Sequence, residues 1–150
     1  MTNTKLFALT YISFSTIIDD DLPNQLRQIQ TSAESNNSRH KVSGKLIVCN
    51  HFFVQRLEGF EDDINRIFKT IEEDSRHRAI KVIFHGPIHY RLFPNWHQME
   101  VISSEEKLDE LNSFLLKSSL IEKNSISDQE AAFILHFIER FKDSDSANTQ

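Results

Sequence analysis

The sequence is poor in the residues that usually announce chemistry. Its 150 residues include one cysteine, three glycines and three prolines. A single cysteine excludes an internal disulfide framework and any zinc site built on several thiolates. Three glycines are too few for the glycine-rich loop that cradles a phosphate, which weighs against a small hydrolase. No run approaches the roughly 18 apolar residues of a membrane span. The opening Met1-Thr-Asn-Thr-Lys-Leu-Phe lacks the long apolar core of a signal peptide. Positive charge is also short: 17 Lys and Arg stand against 22 Asp and Glu, a formal net charge of −5. That balance argues against non-specific nucleic-acid binding. The expectation is a soluble, cytoplasmic protein with no membrane and no direct nucleic-acid partner. What the chain does have is bulk. Twelve phenylalanines support an apolar share of 39%, and the length suits one domain with a real core rather than two sizeable ones.

Periodicity gives the organisation. Residues 5–12 read as a strand. Asp19, Asp20 and Asp21 crowd the start of a first helix, where negative charge meets the positive end of the dipole, and Pro23 suits its first turn. Leu22, Leu26, Ile29 and Ala33 share one face of that helix, and the polar stretch 34–41 reads as a loop. Strands at 42–49 and 52–58 flank Asn50-His51, a hairpin signal. A second helix follows Gly59 with Ile64, Ile67, Phe68 and Ile71 on one face. Strands at 79–85 and 96–102 follow, separated by Gly86-Pro87. The order β-α-β-β-α-β-β predicts an α+β fold, a ferredoxin-like sandwich with an added strand. Two amphipathic helices then follow, each opened by a capping-box pattern: Ser103/Glu106 before Leu108, Leu111, Phe114 and Leu115, and Ser127/Glu130 before Ile134, Leu135, Ile138 and Phe141. The expected division is a domain over 1–103, a two-helix extension over 104–142 that packs on the free sheet face or mediates assembly, and a flexible tail over 143–150.

Several polar residues fall where the pattern wants apolar ones. Alternation puts Gln55 between Phe53 and Leu57 on one face, and Tyr11 with Phe7 and Leu9 on another. On a covered face the amide and the phenol need partners, which each could give the other or the backbone could supply. Asn36-Asn37 reads as helix termination and turn chemistry, and Asp74-Ser-Arg76-His77 as a solvated helix end. Parallel helices in one layer would nonetheless bring these two loops to one mouth, with Ile29 and Ile71 gripping a planar ligand or simply filling the core. A metal site from His85, His89 and His97 is loosely spaced and lacks a thiolate. Cys49 reads as packing. Phe52 and Phe53 raise the base-stacking strands of a ferredoxin-fold RNA-binding module, against the acidic charge balance.

Taken together, Tyr11-Ile-Ser13, Asn36-Asn37, Val42-Ser-Gly44-Lys-Leu, Phe53-Val-Gln55-Arg-Leu57-Glu58-Gly59, Asp74-Ser-Arg76-His77 and Pro87-Ile88…Arg91-Leu-Phe93-Pro-Asn-Trp96 resemble the BLUF family, the blue-light sensors that use FAD. The match runs from about Leu6 to Val101. The resemblance implies non-covalent FAD, with FMN or riboflavin as variants, and no enzymatic turnover. It implies Tyr11 as the redox-active tyrosine and Gln55 between its hydroxyl and the flavin. Asn37 and Asn36 would meet the flavin carbonyl region, Asp74, Arg76 and His77 its other polar edge, and Ile29 and Ile71 its two faces. Light would drive proton-coupled electron transfer from Tyr11 and rearrange the Gln55 hydrogen bonds. Ser13, Trp96, Gln98 and Met99 are candidate modulators. The family's fifth strand usually carries Trp-x-Met, whereas here the run is Trp96-His97-Gln98-Met99; regular alternation puts Gln98 in the methionine's place, and a bulge would restore Met99. The implied output is light-dependent association with an unknown partner protein, or self-association into a homo-oligomer. The competing reading keeps the flavin and denies the signal, leaving a passive flavin carrier.

Overall fold

A computed structural model describes residues 5–49, 51–95, 98–102, 109, 113–114 and 126–141. Its centre is a five-stranded sheet in the order β4-β1-β3-β2-β5. The strands are β1 (Leu6–Ser15), β2 (Ser43–Cys49), β3 (Phe52–Phe60), β4 (His77–Pro87) and β5 (Gln98–Ile102). β1 pairs antiparallel with β3 and β4, β2 antiparallel with β3, and β5 parallel with β2. The α+β, ferredoxin-like architecture with one added strand is the expected one. β1 runs three residues further than the expected 5–12 because it is central, with a partner strand on each side. β4 is also longer than expected. It absorbs two register shifts against β1, and Ala79 takes a left-handed φ of 54°, as an irregular edge strand can.

Two helices cover one face, α1 (Leu22–His40) and α2 (Glu61–Glu72). Asp19–Asp21 form a short 3-10 turn ahead of α1, and Pro23 sits in its first turn. The largest departure from expectation lies at the end of α1, where 34–41 is helical rather than a loop. The stretch is polar throughout, even at the buried Asn37, so periodicity in apolar residues cannot register it. The helix stops at Lys41, whose φ of 57° turns the chain left-handed, while the Val42 N–H donates to the Asn37 carbonyl. α2 opens with Glu61, Asp62 and Asp63 at its positive end.

The covered face holds two apolar groups. Leu9, Tyr11, Val42 and Leu57 pack with Ile64 and Ile67 of α2. Leu46, Val48 and Phe53 pack with Leu26 of α1, joined by Leu22, Ile29 and Met99. The opposite face carries Ile12, Phe14, Ile47, Cys49, Phe52 and Val54, covered by Ile134, Phe137 and Ile138 of a third helix, α3 (Asp128–Glu139), and by Phe141 just beyond it. Both hydrogen bonds of the Ser127/Glu130 capping box are present. Of the expected helix after Ser103, only scattered positions are described; Phe114 stacks on Phe133 at 4.1 Å. Ser103, Glu106, Leu108, Leu111, Leu115 and the tail from Asp143 lie outside the described residues.

Buried polar groups fix the chain between β4 and β5. The fully buried Glu58 carboxylate accepts from the backbone N–H groups of Leu92 and Phe93 at 2.9 and 2.8 Å and pairs with Arg56 Nε at 2.8 Å. Arg91 donates to the Ser43 hydroxyl and the carbonyls of Glu58 and Lys41. Gly44 completes the fit, since a Cβ there would lie 2.0 Å from the Arg56 carbonyl oxygen. Removing the carboxylate strands Arg56 and two amides in a dry site. Glu58→Ala should cost about 3–5 kcal/mol of folding stability in urea unfolding, whereas a loss under about 1 kcal/mol would contradict this account.

Candidate functional site

The site grows from a row of paired positions in the middle of the sheet. Tyr11 on β1 is opposite Gln55 on β3, which is opposite Leu46 on β2, and Leu46 is opposite Met99 on β5. These positions share the face under α1 and α2. Between the two helices and this row lies a cavity of about 260 Å³, near the lower end of small-molecule pockets.

The Tyr11 hydroxyl donates to the Gln55 side-chain oxygen in a buried hydrogen bond. Burial pushes the Tyr11 pKa far above the ordinary phenol value, and the Asp74 charge adds to the rise. The phenol therefore stays neutral and remains a donor. The Phe68 and His77 rings pack around it at 5.7 and 6.0 Å. With its oxygen engaged by Tyr11, the Gln55 amide has its N–H donors without a partner among the described residues, at the cavity wall.

The expectation of parallel helices ending at one mouth is overturned. α1 runs from the Ser15 end of the sheet to the Ser43 end and α2 from the Phe60 end to the His77 end, so they are antiparallel and enclose the cavity from opposite ends. Asn36 and Asn37 belong to the last turns of α1, not to a loop beyond it, and both line the cavity. From beyond α2, Asp74 grips Arg76 through both carboxylate oxygens, at 2.9 and 2.6 Å. The hydrogen bond from Arg76 holds the Asp74 carboxyl below the usual carboxylate range, and the same bond raises the Arg76 pKa. His77 lies between Ser13 Oγ at Nδ1 and the Ile71 carbonyl at Nε2, both 2.7 Å away. A carbonyl can only accept, so Nε2 carries a proton and in the neutral ring the Ser13 hydroxyl donates to Nδ1. Ile29 from α1 and Ile71 from α2 line the cavity from the two helices.

The structure thus gathers Tyr11, Gln55, Ile29, Asn36, Asn37, Ile71, Asp74, Arg76 and His77 around one cavity, with Ser13 held against its edge through His77. Of the two readings of β5, regular alternation from Trp96 is overturned: Met99 lies on this face. The parallel register with β2 decides it. Met99 pairs with Leu46 and packs in the Leu46–Phe53 cluster, whereas the Gln98 backbone pairs with Lys45. Trp96 and His97 lie outside the described residues. Sequence reasoning missed Ser32, Leu46, Phe53, Arg66 and Thr70 as lining groups. Positions 29, 32, 33, 36 and 37 follow the i, i+3, i+4 rule along α1, so they become readable once the helix is known to reach His40. Among the described residues no three His, Cys, Asp or Glu side chains gather to hold a metal, and no described helix is long and apolar enough to cross a membrane.

The donor set fits a flavin: apolar walls for a flat ring, amides and an unsatisfied donor for its heteroatom edge, and arginines at the mouth. A ferredoxin-like sheet with a tyrosine–glutamine pair under a slot between two helices defines a domain built to hold a flat ligand. The profile of BLUF, "Sensors of blue-light using FAD", matches residues 6–99, and the chain belongs to this blue-light flavin-sensor family. It is 33% identical over 97 residues to photoactivated adenylate cyclase subunit beta of Euglena gracilis, a match that covers 65% of this chain and 11% of that protein. Among solved structures it resembles the dark-state BLUF protein BlrB, with a TM-score of 0.68, 27% identity, and 91% and 97% of the two chains covered. The fold also matches BlsA in its ground state, with a TM-score of 0.68 at 24% identity over 89% of this chain and 87% of that one.

The lowered Asp74 pKa sets the sign of an acid effect. Its contribution to stability is fully present above the ordinary value of 3.8 and is lost as pH falls through the lower folded-state value. Asp74→Asn should flatten the acid limb of stability against pH, read by urea unfolding between about pH 5 and pH 2. An unchanged limb would contradict this assignment.

Proposed function

We propose that this chain is a blue-light photoreceptor that binds FAD non-covalently in the cavity between α1 and α2 and signals through Tyr11 and Gln55. The observation that carries the reading is the buried Tyr11–Gln55 hydrogen bond at the cavity wall. Ile29 and Ile71 hold the two faces of the ring, Asn36 and Asn37 meet its carbonyl side, and Asp74, Arg76 and His77 the other polar edge. The ring portion, which FAD shares with FMN and riboflavin, is the part these residues recognise.

Bound flavin supplies a blue-absorbing ring that, once excited, accepts an electron. Tyr11 is the oxidisable group beside it. With flavin bound, Tyr11 would give up an electron and its phenolic proton together, the proton relayed through the Gln55 amide to the group that takes the electron, so that no net charge would be left on Tyr11 or Gln55. When both return, the phenol is restored and nothing is consumed. The amide has one acceptor and two donors on opposite arms. A turned or tautomerised Gln55 therefore offers the cavity an acceptor or a donor in a changed place, which is a stored signal. Met99, beside Leu46 on this face, is the residue through which β5 senses that change. The output is regulation of a partner protein or self-association, not catalysis. The cyclase named among its relatives supports coupling of such a domain to an effector.

The RNA-binding reading is not favoured. Phe53 lines the cavity, and Phe52 packs into the α3 core, so neither is presented to a base.

Purified protein reconstituted with FAD should be yellow, and blue light should shift its flavin absorption reversibly to longer wavelength. Tyr11→Phe and Gln55→Leu should each abolish the shift while retaining flavin. A yellow wild-type protein with no photocycle would make it a passive carrier, and failure to take up flavin would sink both readings. Met99→Ala should change the rate of dark return by more than about twofold, followed by absorption after a light pulse. An unchanged rate would remove Met99 from the signal route.

A further inference from the structure

The sheet face opposite the cavity carries charge where packing alone would use hydrocarbon. Lys45 on β2 is 2% exposed. It stands on a face that also carries Arg56, its partner across β3, and Glu58, among apolar residues such as Ile12, Ile47 and Val54 against α3. Its Nζ reaches Glu100 Oε1 at 3.1 Å and donates to the Phe141 carbonyl at 3.3 Å. The same ammonium lies 5.9 Å from the ring centroids of both Phe93 and Phe141. Lys45 therefore joins β2, β5 and the C-terminal end of α3.

A buried ammonium is an expensive way to hold a helix, because an apolar side chain of similar size would hold it at least as well. What the charge adds is a condition. Its burial is tolerable only while a carboxylate and a carbonyl stay within reach. The carbonyl lies just past the end of α3, where unpaired C=O groups and the helix dipole favour a cation. The carboxylate belongs to β5, one residue from Met99. Two neighbouring pairs thus tie β2 to β5. Leu46 and Met99 meet on the cavity side, and Lys45 and Glu100 on the α3 side. A displacement of β5 against β2 that moves the first pair also moves the second.

We infer that Lys45 is a positioning residue that makes the docking of α3 depend on the placement of β5, so that a change at the cavity is read out as release of the C-terminal helix. The tie itself stands on the geometry, and only its trigger by light rests on the photoreceptor reading.

Hydrogen exchange on the full chain tests this. In the dark, amides of residues 134–141 should be protected in the wild type and lose at least about tenfold of that protection in Lys45→Met. Glu100→Gln, at a partly exposed position, should lose part of it and serves if Lys45→Met does not fold. Wild-type exchange in both variants would overturn the proposal. Under blue light the wild type should approach the dark exchange of Lys45→Met, and that variant should no longer respond to light although its flavin band still shifts. A wild type whose band shifts while exchange at 134–141 stays constant would overturn the link to light. Absence of any band shift would instead sink the photoreceptor reading, leaving the dark comparison to decide the tie.

Discussion

The hydrogen bond from Tyr11 to Gln55 is the constraint on which the rest of the structure depends. It joins the two central strands through their side chains, on the face that the helices cover, and both groups are nearly inaccessible to water. A net contribution of about 0.5–1.5 kcal/mol is ordinary for such a bond. Its importance lies in what would follow without it, since a buried phenol and a buried amide would then be stranded. The register that sets Tyr11 opposite Gln55 is fixed by nine consecutive residue pairs of β1 and β3, from Leu6↔Phe60 to Phe14↔Phe52. A slip of one residue would turn every side chain of the strand to the other face. The pairing of phenol and amide is therefore a consequence of apolar alternation along the strands.

The antiparallel helices complete the site from opposite ends. α1 and α2 lie in one layer and bring Asn36 and Asn37, from the end of one, and Asp74, Arg76 and His77, from beyond the end of the other, to opposite ends of one cavity. The rim is held by local bonds rather than by burial. Asp74 orients Arg76, and the Ile71 carbonyl and Ser13 hydroxyl orient His77. The groups that would face a ligand are thus placed before it arrives, which lowers the ordering cost of binding.

The sequence is informative wherever burial imposes a period. Strand order, both covering helices, the Ser127/Glu130 cap and the shared face of the Tyr11–Gln55 pair follow from alternation, helical spacing and capping chemistry. It misleads where no burial signal exists. The end of α1 is polar throughout, so its last turns look like a loop. The placement of Met99 depends on a parallel register with β2, a non-local contact that alternation counted from Trp96 cannot supply. The lining roles of Arg66 and Thr70 depend on where a second helix stands. Lys45 and Glu58 look like surface charges in the sequence. Only the sheet order reveals them as buried, each satisfied by partners distant along the chain.

The two faces of the sheet divide the labour. In the proposed function one binds and senses and the other carries the helix that reports, and β2 and β5 belong to both. The central claim is that Gln55 is the group rearranged by light. It is tested most directly by the light-minus-dark infrared spectrum of flavin-loaded protein carrying ¹³C-labelled glutamine, set beside the labelled Gln55→Leu variant. The account predicts a difference band in the side-chain amide region that moves with the label and is absent from the variant. A wild-type protein whose flavin absorption shifts while no glutamine band changes would contradict it.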